Sequence, residues 1–323
     1  MEVIFGINQL KRPFINPVVT LGNFDGVHLG HRRIFAKLQE EAKMIQGEAV
    51  VITFEPHPLK VLHPEDSPPL LTAFRKKMVL IEEAGIEKVL CLEFSLAFAG
   101  LTPFEFVRDI LVEKVKAKKI VVGYNYHFGK GKSGNVEVLK EICKSFGIEV
   151  EVMGASTIDQ IVVSSSRIRE LIQKGNVEKA SKLLGRDYSV TGTVVEGKKR
   201  GCGLGFPTAN LEMADELYPK TGVYAVGVSL RDRRFNGLAN VGYNPTFATE
   251  DKEQFTLEVH VLNFSENIYG REIQVNFKRR IRDEIRFDSP SQLIAQIRKD
   301  IEWAETNVFT PLESSEIHGR NGT

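Results

Sequence analysis

The spacing of apolar residues changes near residue 186, and this change limits the folds open to the chain. Before it, short continuous apolar runs such as "AVVITF" (49–54) and "KIVVG" (119–123) alternate with segments of helical character. Continuous apolar runs are typical of parallel strands buried on both faces, so the first part is predicted to be a parallel sheet covered by helices. After residue 186, alternating runs such as "GVYAVGVSL" and "FTLEVHVL" lie between glycine-rich turns, a pattern that predicts an antiparallel sheet or barrel.

The 323-residue chain is therefore predicted to form two domains, α/β followed by all-β. The first spans residues 1–185, and the second spans residues 186–307. A helix that begins at Ser289-Pro290-Ser291-Gln292 closes the second domain, because these residues combine an N-cap, a proline and an N3 glutamine. Thr102-Pro103-Phe104-Glu105 predicts another helix start for the same reason. We expect residues 308–323 to form a disordered tail.

Composition excludes several classes of partner. Lys and Arg number 43 against 42 Asp and Glu, so a net charge of +1 supplies no global field for nucleic acid. No window approaches the ~20 apolar residues of a membrane span, and no membrane partner is expected. Cys91, Cys143 and Cys202 have no zinc spacing, which indicates reduced thiols in a cytoplasmic protein. The oligomeric state stays open.

The stretch "VTLGNFDGVHLGH" (19–31) reads as a strand, a glycine-bearing turn and a helix start, an arrangement that can hold phosphate. Gly22 and Gly26 let the backbone approach a ligand closely. His28 and His31 are spaced i, i+3 in the first helical turn, so both can donate hydrogen bonds to phosphate oxygens as charge moves onto a leaving pyrophosphate. Two alternatives stay open here: a pair of metal ligands, or a helix cap with no further role.

Two later segments also follow predicted strands and carry anion-binding residues. "VVGYNYHFGKGKSGN" (121–135) is a glycine-rich turn with polar side chains, and "VVSSSRIRELI" (162–172) places serines and arginines at a helix start. Hydroxyls, N-terminal amides and guanidinium groups all bind phosphate, although the serines could equally cap the helix beside solvated arginines. Because ligands of parallel sheets collect at the carboxyl ends of strands, we expect the three segments to converge. The candidate residues are Asn125, His127, Lys130, Lys132, Ser164, Ser165, Ser166, Arg167 and Arg169.

"GNFDGVHLGH", "TFEPHP", "VVGYNYHFGKGKSG" and "SSSRIR", in this order, strongly resemble the adenylyltransferase half of prokaryotic bifunctional riboflavin kinase/FAD synthetases. That half is an HxGH nucleotidyltransferase with a Rossmann-like sheet. The resemblance implies transfer of AMP from ATP to FMN, giving FAD and pyrophosphate. The family often has aspartate at position 125, arginine at 127 and threonine at 166. The implied nucleotide contacts are Gly22, Asn23, Phe24, His28, His31, Asn125, Ser164, Ser165, Ser166, Arg167 and Arg169, and the implied flavin contacts are Phe54, Pro56 and Pro58.

The most informative stretch of the second half is "VEGKKRGCGLGFPTANL" (195–211). Its glycines and the cations Lys198, Lys199 and Arg200 predict a flexible loop that can wrap phosphates, with a mobile turn as the alternative. Thr208 and Asn210 share a face of an extended chain, where they offer two hard oxygen ligands for Mg²⁺. The glycines are Gly197, Gly201, Gly203 and Gly205.

A carboxylate for alcohol phosphorylation is available in "TLEVHVL". Glu258 is predicted to face away from Leu257 and Val259, where it can accept a hydroxyl proton. The alternative is a glutamate on the solvated face of a strand. For Asn240 in "NVGYNPTF", the alternative to a ligand contact is ordinary turn chemistry.

"GLGFPTANL", "GVYAV", "NVGYNPTF", "LEVHVLNF" and "RDEIRFDS" resemble the riboflavin kinase module of the same family. The resemblance implies a small antiparallel β-barrel with a C-terminal helix and phosphorylation of riboflavin by Mg²⁺ and ATP. It implies that the glycine loop and Pro207 bind the nucleotide, Thr208 and Asn210 the metal, and Asn240 the flavin, with Glu258 as base. Cys202 and Asn263 replace a usual arginine and aspartate. The rival interpretations are a different adenylyl- or cytidylyltransferase, and a catalytically silent flavin-binding regulator.

Overall fold

The computed structural model describes residues 1–196, 205–213, 216–244 and 254–309. These residues form two compact units. The first comprises Met1–Ile168 and Leu183–Gly185, and the second comprises Arg169–Lys182 and the described residues from Arg186 onward. Gly197, Gly201, Gly203 and residues 310–323 of the predicted tail lie outside the described residues.

The first unit is built on a six-stranded sheet in which every neighbouring pair is parallel. The strand order is β1-β4-β3-β2-β5-β6, so β2 lies inside the sheet with β3 on one side and β5 on the other. A short hairpin follows the sheet. The strands are β1 (Glu2–Phe5), β2 (Val18–Leu21), β3 (Ala49–Glu55), β4 (Lys88–Glu93), β5 (Lys119–Gly123), β6 (Glu149–Met153), and β7 (Thr157–Ile158) with β8 (Ile161–Val162) in the hairpin.

Helices cover both faces of this sheet, which confirms the predicted α/β architecture. The helices are α1 (Leu29–Met44), α2 (Pro58–Leu62), α3 (Phe74–Glu83), α4 (Leu96–Ala99), α5 (Pro103–Glu105), which continues as a π-helical segment (Phe106–Lys114), and α6 (Val136–Ser145). Leu21 and Ile52 lie in one core with Leu139, while Val18 and Val51 lie in the other core. Successive strand residues therefore supply opposite cores, which is why the strands read as continuous apolar runs.

Two strands of the sheet, β1 and β6, lack the continuous apolar run that predicts a buried parallel strand. β1 is an edge strand whose outer residues are exposed, and β6 contains alternating glutamates. Each is placed by pairing with an apolar neighbour, β4 or β5, rather than by its own apolar character.

The second unit contains a closed antiparallel barrel of six strands in the order β10-β13-β12-β11-β14-β9. This confirms the predicted barrel and its C-terminal helix. The strands are β9 (Tyr188–Val195), β10 (Ala209–Met213), β11 (Gly222–Leu230), β12 (Arg233–Asn244), β13 (Gln254–Val261) and β14 (Glu272–Arg282). Two further helices precede the barrel in sequence, α7 (Ser165–Gln173) and α8 (Val177–Leu184), and α9 (Pro290–Asn307) follows it.

Strand β12 corrects one alternative from the sequence. Asn240 lies within β12, paired with Val223 on one side and Glu258 on the other, and is not a turn residue. The segment contains Asn and Gly, which have low intrinsic strand preference. Its two neighbouring strands impose the extended conformation.

Residues 169–182 pack within the second unit although they precede the predicted boundary. The Lys220 N–H donates to the Ile172 carbonyl at 3.2 Å, and Arg279 forms a 3.3 Å ion pair with Glu178. Because these contacts join residues far apart in sequence, the local sequence pattern of residues 169–182 does not predict them. Among the described residues, no helix has the length and apolar character needed to cross a bilayer.

Helix α9 docks through a charged pair as well as through apolar packing. Ser289 caps it by accepting from the Gln292 N–H, as predicted. The predicted apolar face is half-buried, and the deepest residues are Ala304 and Asp300. Arg282 of β14 donates to Asp300 at 2.7 and 3.0 Å, so the carboxylate is paired where it is buried. The predicted face comprises Leu293, Ile294, Ile297 and Ile301.

Replacing Asp300 with alanine is expected to destabilise the barrel unit. The change leaves the Arg282 guanidinium without its carboxylate in a mostly buried position, which costs about 3 kcal/mol. Urea denaturation should show a lower midpoint for Asp300→Ala and an unchanged one for Lys299→Ala, an exposed neighbour on α9. Equal midpoints for the two variants would contradict this role of the ion pair.

Candidate functional site

The predicted residues of the first unit meet at the carboxyl edge of the parallel sheet. β3 pairs with one side of β2 and β5 with the other, so the segments that follow these strands leave from adjacent positions. The connections from β2 run toward β3 and β4, whereas β5 and β6 lie in the opposite direction. Such a switch in direction opens a crevice at the strand ends, where parallel sheets bind ligands.

His28 and His31 lie together at the start of α1. Their rings stack with centroids 3.6 Å apart and an angle of 17° between the planes. His28 is also the N-cap of α1, and its Nδ1 accepts from the His31 N–H at 3.2 Å. His28 therefore does cap the helix, and this hydrogen bond fixes its ring beside His31. A Cβ at Gly30 would lie 3.1 Å from the His28 ring, so a glycine here gives that ring its space.

The loop before the histidines is held by the carboxylate of Asp25, which the sequence reasoning did not single out. Asp25 is buried and accepts from the Leu71 N–H, the Thr72 N–H and the Thr72 hydroxyl at 3.0–3.3 Å. The Gly26 N–H donates to the Thr72 hydroxyl at 3.1 Å. Gly26 has φ +85°, and a Cβ there would lie 2.8 Å from Leu71, so both conformation and space require glycine.

Phe24 packs against the His31 ring. Its ring is buried and meets the His31 ring edge-on at 5.1 Å and the Phe35 ring at 5.0 Å. The Phe24 side chain thus belongs to the core beneath the histidines. Gly22 and Asn23, which precede it, are partly exposed at the strand end.

The serine segment reaches the same loop. The Ser165 hydroxyl donates to the Asp25 carbonyl at 2.8 Å, across 140 residues of sequence. The Ser164 hydroxyl accepts from the Arg167 N–H at 3.2 Å and so caps the start of α7. Ser166 is exposed. The structure therefore brings Ser164, Ser165 and Arg167 to the histidine loop, whereas Arg169 groups with the second unit.

The third predicted segment follows β5. Asn125 is exposed, and its carbonyl accepts from His127 Nδ1 at 2.9 Å, so the His127 ring folds back onto its own loop. Lys130 and Lys132 lie in a short 3₁₀ turn and are exposed. Gly123, the last residue of β5, lies near Ile34 of α1, which places this loop beside the histidine helix.

An aromatic cluster lies where β3 and β4 end. Phe54 contacts Phe94 and Phe98 with ring centroids 5.7 Å apart in both pairs. Pro56 is exposed, and Pro58 is the first residue of α2. Of these rings the sequence reasoning named only Phe54, because Phe94 and Phe98 lie in a segment without a predicted strand or motif.

In the second unit, strand register brings three predicted residues into one row. Glu258 of β13 pairs with Asn210 of β10 and with Asn240 of β12. Directly paired residues point to the same side of a sheet with Cβ atoms about 5 Å apart. Leu257 and Val259 are buried on the opposite side, so Glu258 faces away from the core, as predicted. All three residues of the row are partly exposed.

Thr208 follows Pro207, which is contacted by His260, a residue that the sequence analysis does not name. His260 Nδ1 donates to the Pro207 carbonyl at 2.8 Å, and its ring meets Phe206 edge-on at 5.5 Å. These contacts fix the approach to β10, where Thr208 and Asn210 are two residues apart. Thr208 and Asn210 offer a hydroxyl and an amide oxygen, donors that suit Mg²⁺ when substrate phosphates and water complete its coordination.

A cavity of about 130 Å³ adjoins Thr208. Its wall combines apolar side chains with polar ones: Val194, Phe264, Ile268 and Tyr269 are apolar, and Thr208, Ser265, Glu266 and Asn267 are polar. The loop after β13 supplies much of this wall, and the sequence pattern assigned it no role. Among the described residues no cluster of three or more His, Cys, Asp or Glu side chains could hold a metal, so the metal-pair alternative for His28 and His31 lacks further ligands.

Comparisons with known proteins match two different families to the two parts of the chain. The family model for FAD synthetase matches residues 11–167, and the model for riboflavin kinase matches residues 184–308. A protein of Buchnera aphidicola from Schizaphis graminum, named bifunctional riboflavin kinase/FMN adenylyltransferase, is 38% identical over 94% of this chain and 97% of its own length. The proteins of that name from Escherichia coli K12 and Haemophilus influenzae are 37% and 36% identical, over 93% and 94% of this chain and 96% and 98% of their own lengths.

A solved structure from Streptococcus pneumoniae has the same fold. It is described as a macrolide-efflux protein, is 35% identical, and superposes with a TM-score of 0.86 over 95% of this chain and 99% of that chain.

Replacing Asp25 with asparagine is expected to loosen the histidine loop. The Oδ2 oxygen, which accepts from the Leu71 N–H at 3.0 Å, becomes an NH₂ group, so two donors face each other in a buried position at a cost of about 1–3 kcal/mol. Hydrogen exchange measured by mass spectrometry should show faster exchange over residues 22–31 and 71–72. Asp66→Asn, at an exposed position, serves as the control, and unchanged protection in Asp25→Asn would contradict the role given to the carboxylate.

Proposed function

The chain belongs to the bifunctional riboflavin kinase/FMN adenylyltransferases, and on that premise we propose how its residues divide the two reactions. The enzyme phosphorylates riboflavin with ATP to give FMN and ADP. It then transfers AMP from a second ATP to FMN, which gives FAD and pyrophosphate. We assign adenylyl transfer to residues 1–185 and phosphorylation to residues 186–307, in keeping with the family matches at 11–167 and 184–308.

Adenylyl transfer is assigned to the crevice at the ends of β2, β3 and β5, on the observation that the stacked pair His28 and His31 starts α1 there. An FMN phosphate oxygen attacks the α-phosphorus of ATP, the bond to the bridging oxygen breaks, and pyrophosphate leaves. The histidines donate hydrogen bonds to the triphosphate as negative charge grows on the leaving group. No covalent intermediate with the protein is needed, because the attacking oxygen is already an anion.

The other residues of this site bind and orient the two substrates. Backbone groups of Gly22, Asn23 and Phe24 and the N-terminal amides of α1 lie where a helix start favours phosphate. The further nucleotide contacts are Asn125, Ser164, Ser165, Ser166 and Arg167; Arg169 is left out of this site because it groups with the second unit. Phe54, Pro56 and Pro58 offer an apolar surface for the flavin ring, which the neighbouring rings Phe94 and Phe98 extend.

Phosphorylation is assigned to the row Asn210, Glu258 and Asn240. Glu258 accepts the proton of the ribityl hydroxyl as that oxygen attacks the γ-phosphorus and ADP leaves. Asn240, beside Glu258, orients the flavin. Pro207, Gly205 and the glycines at 197, 201 and 203 are assigned to the nucleotide. The cavity that adjoins Thr208 is assigned to the nucleotide as well.

Thr208 and Asn210 would hold Mg²⁺ at this site, because their oxygens are hard donors on one face of an extended segment. When bound, the ion neutralises charge on the transferring phosphoryl group. The carboxylate of Glu258 remains free for the substrate hydroxyl in this arrangement.

A cytoplasmic location is proposed from the thiols. Cys91 and Cys143 are unpaired and buried. Burial raises the pKa of Cys91 to about 11 and that of Cys143 to about 12, so both are protonated and unreactive at neutral pH. Buried thiols without a disulfide suit a reducing compartment.

Replacing Glu258 with alanine should reduce FMN formation by about 10²–10⁴-fold, because the hydroxyl loses its proton acceptor. FAD formation from supplied FMN should be unchanged. Chromatographic separation of the flavins after incubation with ATP and Mg²⁺ measures both activities. Glu212→Ala, which removes an exposed carboxylate from β10, should change neither. Equal loss of both activities in Glu258→Ala would contradict the assignment.

Replacing both His28 and His31 with alanine should have the opposite effect. FAD formation from supplied FMN should fall by at least about 10²-fold, since transition-state hydrogen bonds to phosphate are removed, while FMN formation continues. The same chromatographic assay applies, with the exposed His63→Ala as control. Normal FAD formation in the double variant would place the adenylyl site elsewhere.

A further inference from the structure

Lys77 is a buried lysine beneath the adenylyl site. It lies in the first turn of α3, and only 6% of its surface is exposed. Its ammonium donates to the Asn23 carbonyl at 3.3 Å, to the Phe54 carbonyl at 3.4 Å and to the Thr53 hydroxyl at 3.3 Å. The Thr53 hydroxyl in turn donates to the Asn23 carbonyl at 3.4 Å. Three neutral oxygens from two separate segments therefore converge on one cation.

Burying the ammonium of Lys77 costs free energy that an apolar side chain would not. Burial lowers the pKa of Lys77, and the negative charges of Glu55 and Asp25 oppose that shift. Lysine is rarely buried to this extent, and replacing a buried charge with a well-packed apolar residue is often neutral or stabilising. The stability of the fold alone gives little reason for an ammonium here.

The two segments that Lys77 joins carry different substrates in the proposed function. Asn23 belongs to the nucleotide loop, and Phe54 belongs to the flavin surface. Both carbonyls lie where their strands end, β2 for the first and β3 for the second. A shared donor between them fixes the separation of the two substrate-binding segments.

We propose that Lys77 is a positioning residue for FMN adenylylation, which ties the nucleotide loop at Asn23 to the flavin segment at Phe54. The inference rests on the proposed assignment of these two segments. The attacking phosphate oxygen and the α-phosphorus react only from a close, aligned arrangement, and a misplacement of about 1 Å can cost about 10²-fold in rate. Lys77 touches neither substrate in this role. Its loss therefore acts on the turnover of bound substrates.

The test is steady-state kinetics of the full-length Lys77→Met variant, which keeps the length of the side chain and removes its charge. We expect kcat for FMN adenylylation to fall by about 10–100-fold, with KM for ATP and for FMN changed by less than about threefold. Riboflavin phosphorylation in the same preparation should be unchanged, because its residues belong to the other unit. Lys76→Met removes a neighbouring, partly exposed charge from the same helix and should retain wild-type adenylylation.

A purely structural role predicts a different result. The melting temperature of Lys77→Met would then fall while kcat per folded molecule stayed at the wild-type value, and this would overturn the proposal. A loss confined to KM would also overturn it, since it would indicate substrate contact. If Lys77→Met does not fold, Lys77→Gln is measured in the same way, and failure of both variants to fold assigns Lys77 to stability and ends the proposal.

The outcome for the histidine pair separates this inference from the site assignment. If the His28 and His31 double variant keeps adenylylation, the proposed site is wrong and the inference falls with it. If the double variant is inactive and Lys77→Met retains wild-type kcat, only the inference about Lys77 fails.

Discussion

Hydrogen-bonded register between neighbouring strands places the candidate residues of both units. In the first unit, parallel pairing of β2 with β3 and β5 makes three strands end at one edge, so segments about 30–100 residues apart meet there. In the second unit, antiparallel pairing sets Glu258 level with Asn210 and Asn240. A shift of one residue in β13 would turn Glu258 into the core and remove its carboxylate from the row.

The two architectures suit the two ways in which ATP is used. Attack on the α-phosphorus by an FMN phosphate needs anion binding and alignment, which a strand edge and a helix start supply through backbone N–H groups. Attack on the γ-phosphorus by a neutral hydroxyl also needs a proton acceptor. A barrel strand can present a carboxylate on its outer face while its inner face packs the core, as Glu258 does between Leu257 and Val259.

Buried polar contacts, rather than apolar packing, shape the loops at the proposed adenylyl site. Asp25 accepts from backbone groups of Leu71 and Thr72, Ser165 donates to the Asp25 carbonyl, and Lys77 bridges Asn23 and Phe54. Each of these contacts joins residues more than 20 positions apart. Because an unpaired buried polar group is costly, the set constrains the loops to one arrangement.

The sequence by itself determined the fold class of each unit and named much of the candidate site. Continuous apolar runs predicted the parallel sheet, and alternating runs predicted the barrel. Local capping residues such as Thr102 and Ser289 marked helix starts. Local patterns also identified His28, His31, Thr208 and Glu258, because spacing along a helix or strand fixes which side chains share a face. Only the tertiary structure decided the features that depend on distant partners. It placed Asn240 in a strand and His260 in a hydrogen bond to the Pro207 carbonyl. It also grouped residues 169–182 with the second unit and buried Lys77. These features have no local signature, since strand pairing and burial are set by neighbours that the chain brings together only when it folds.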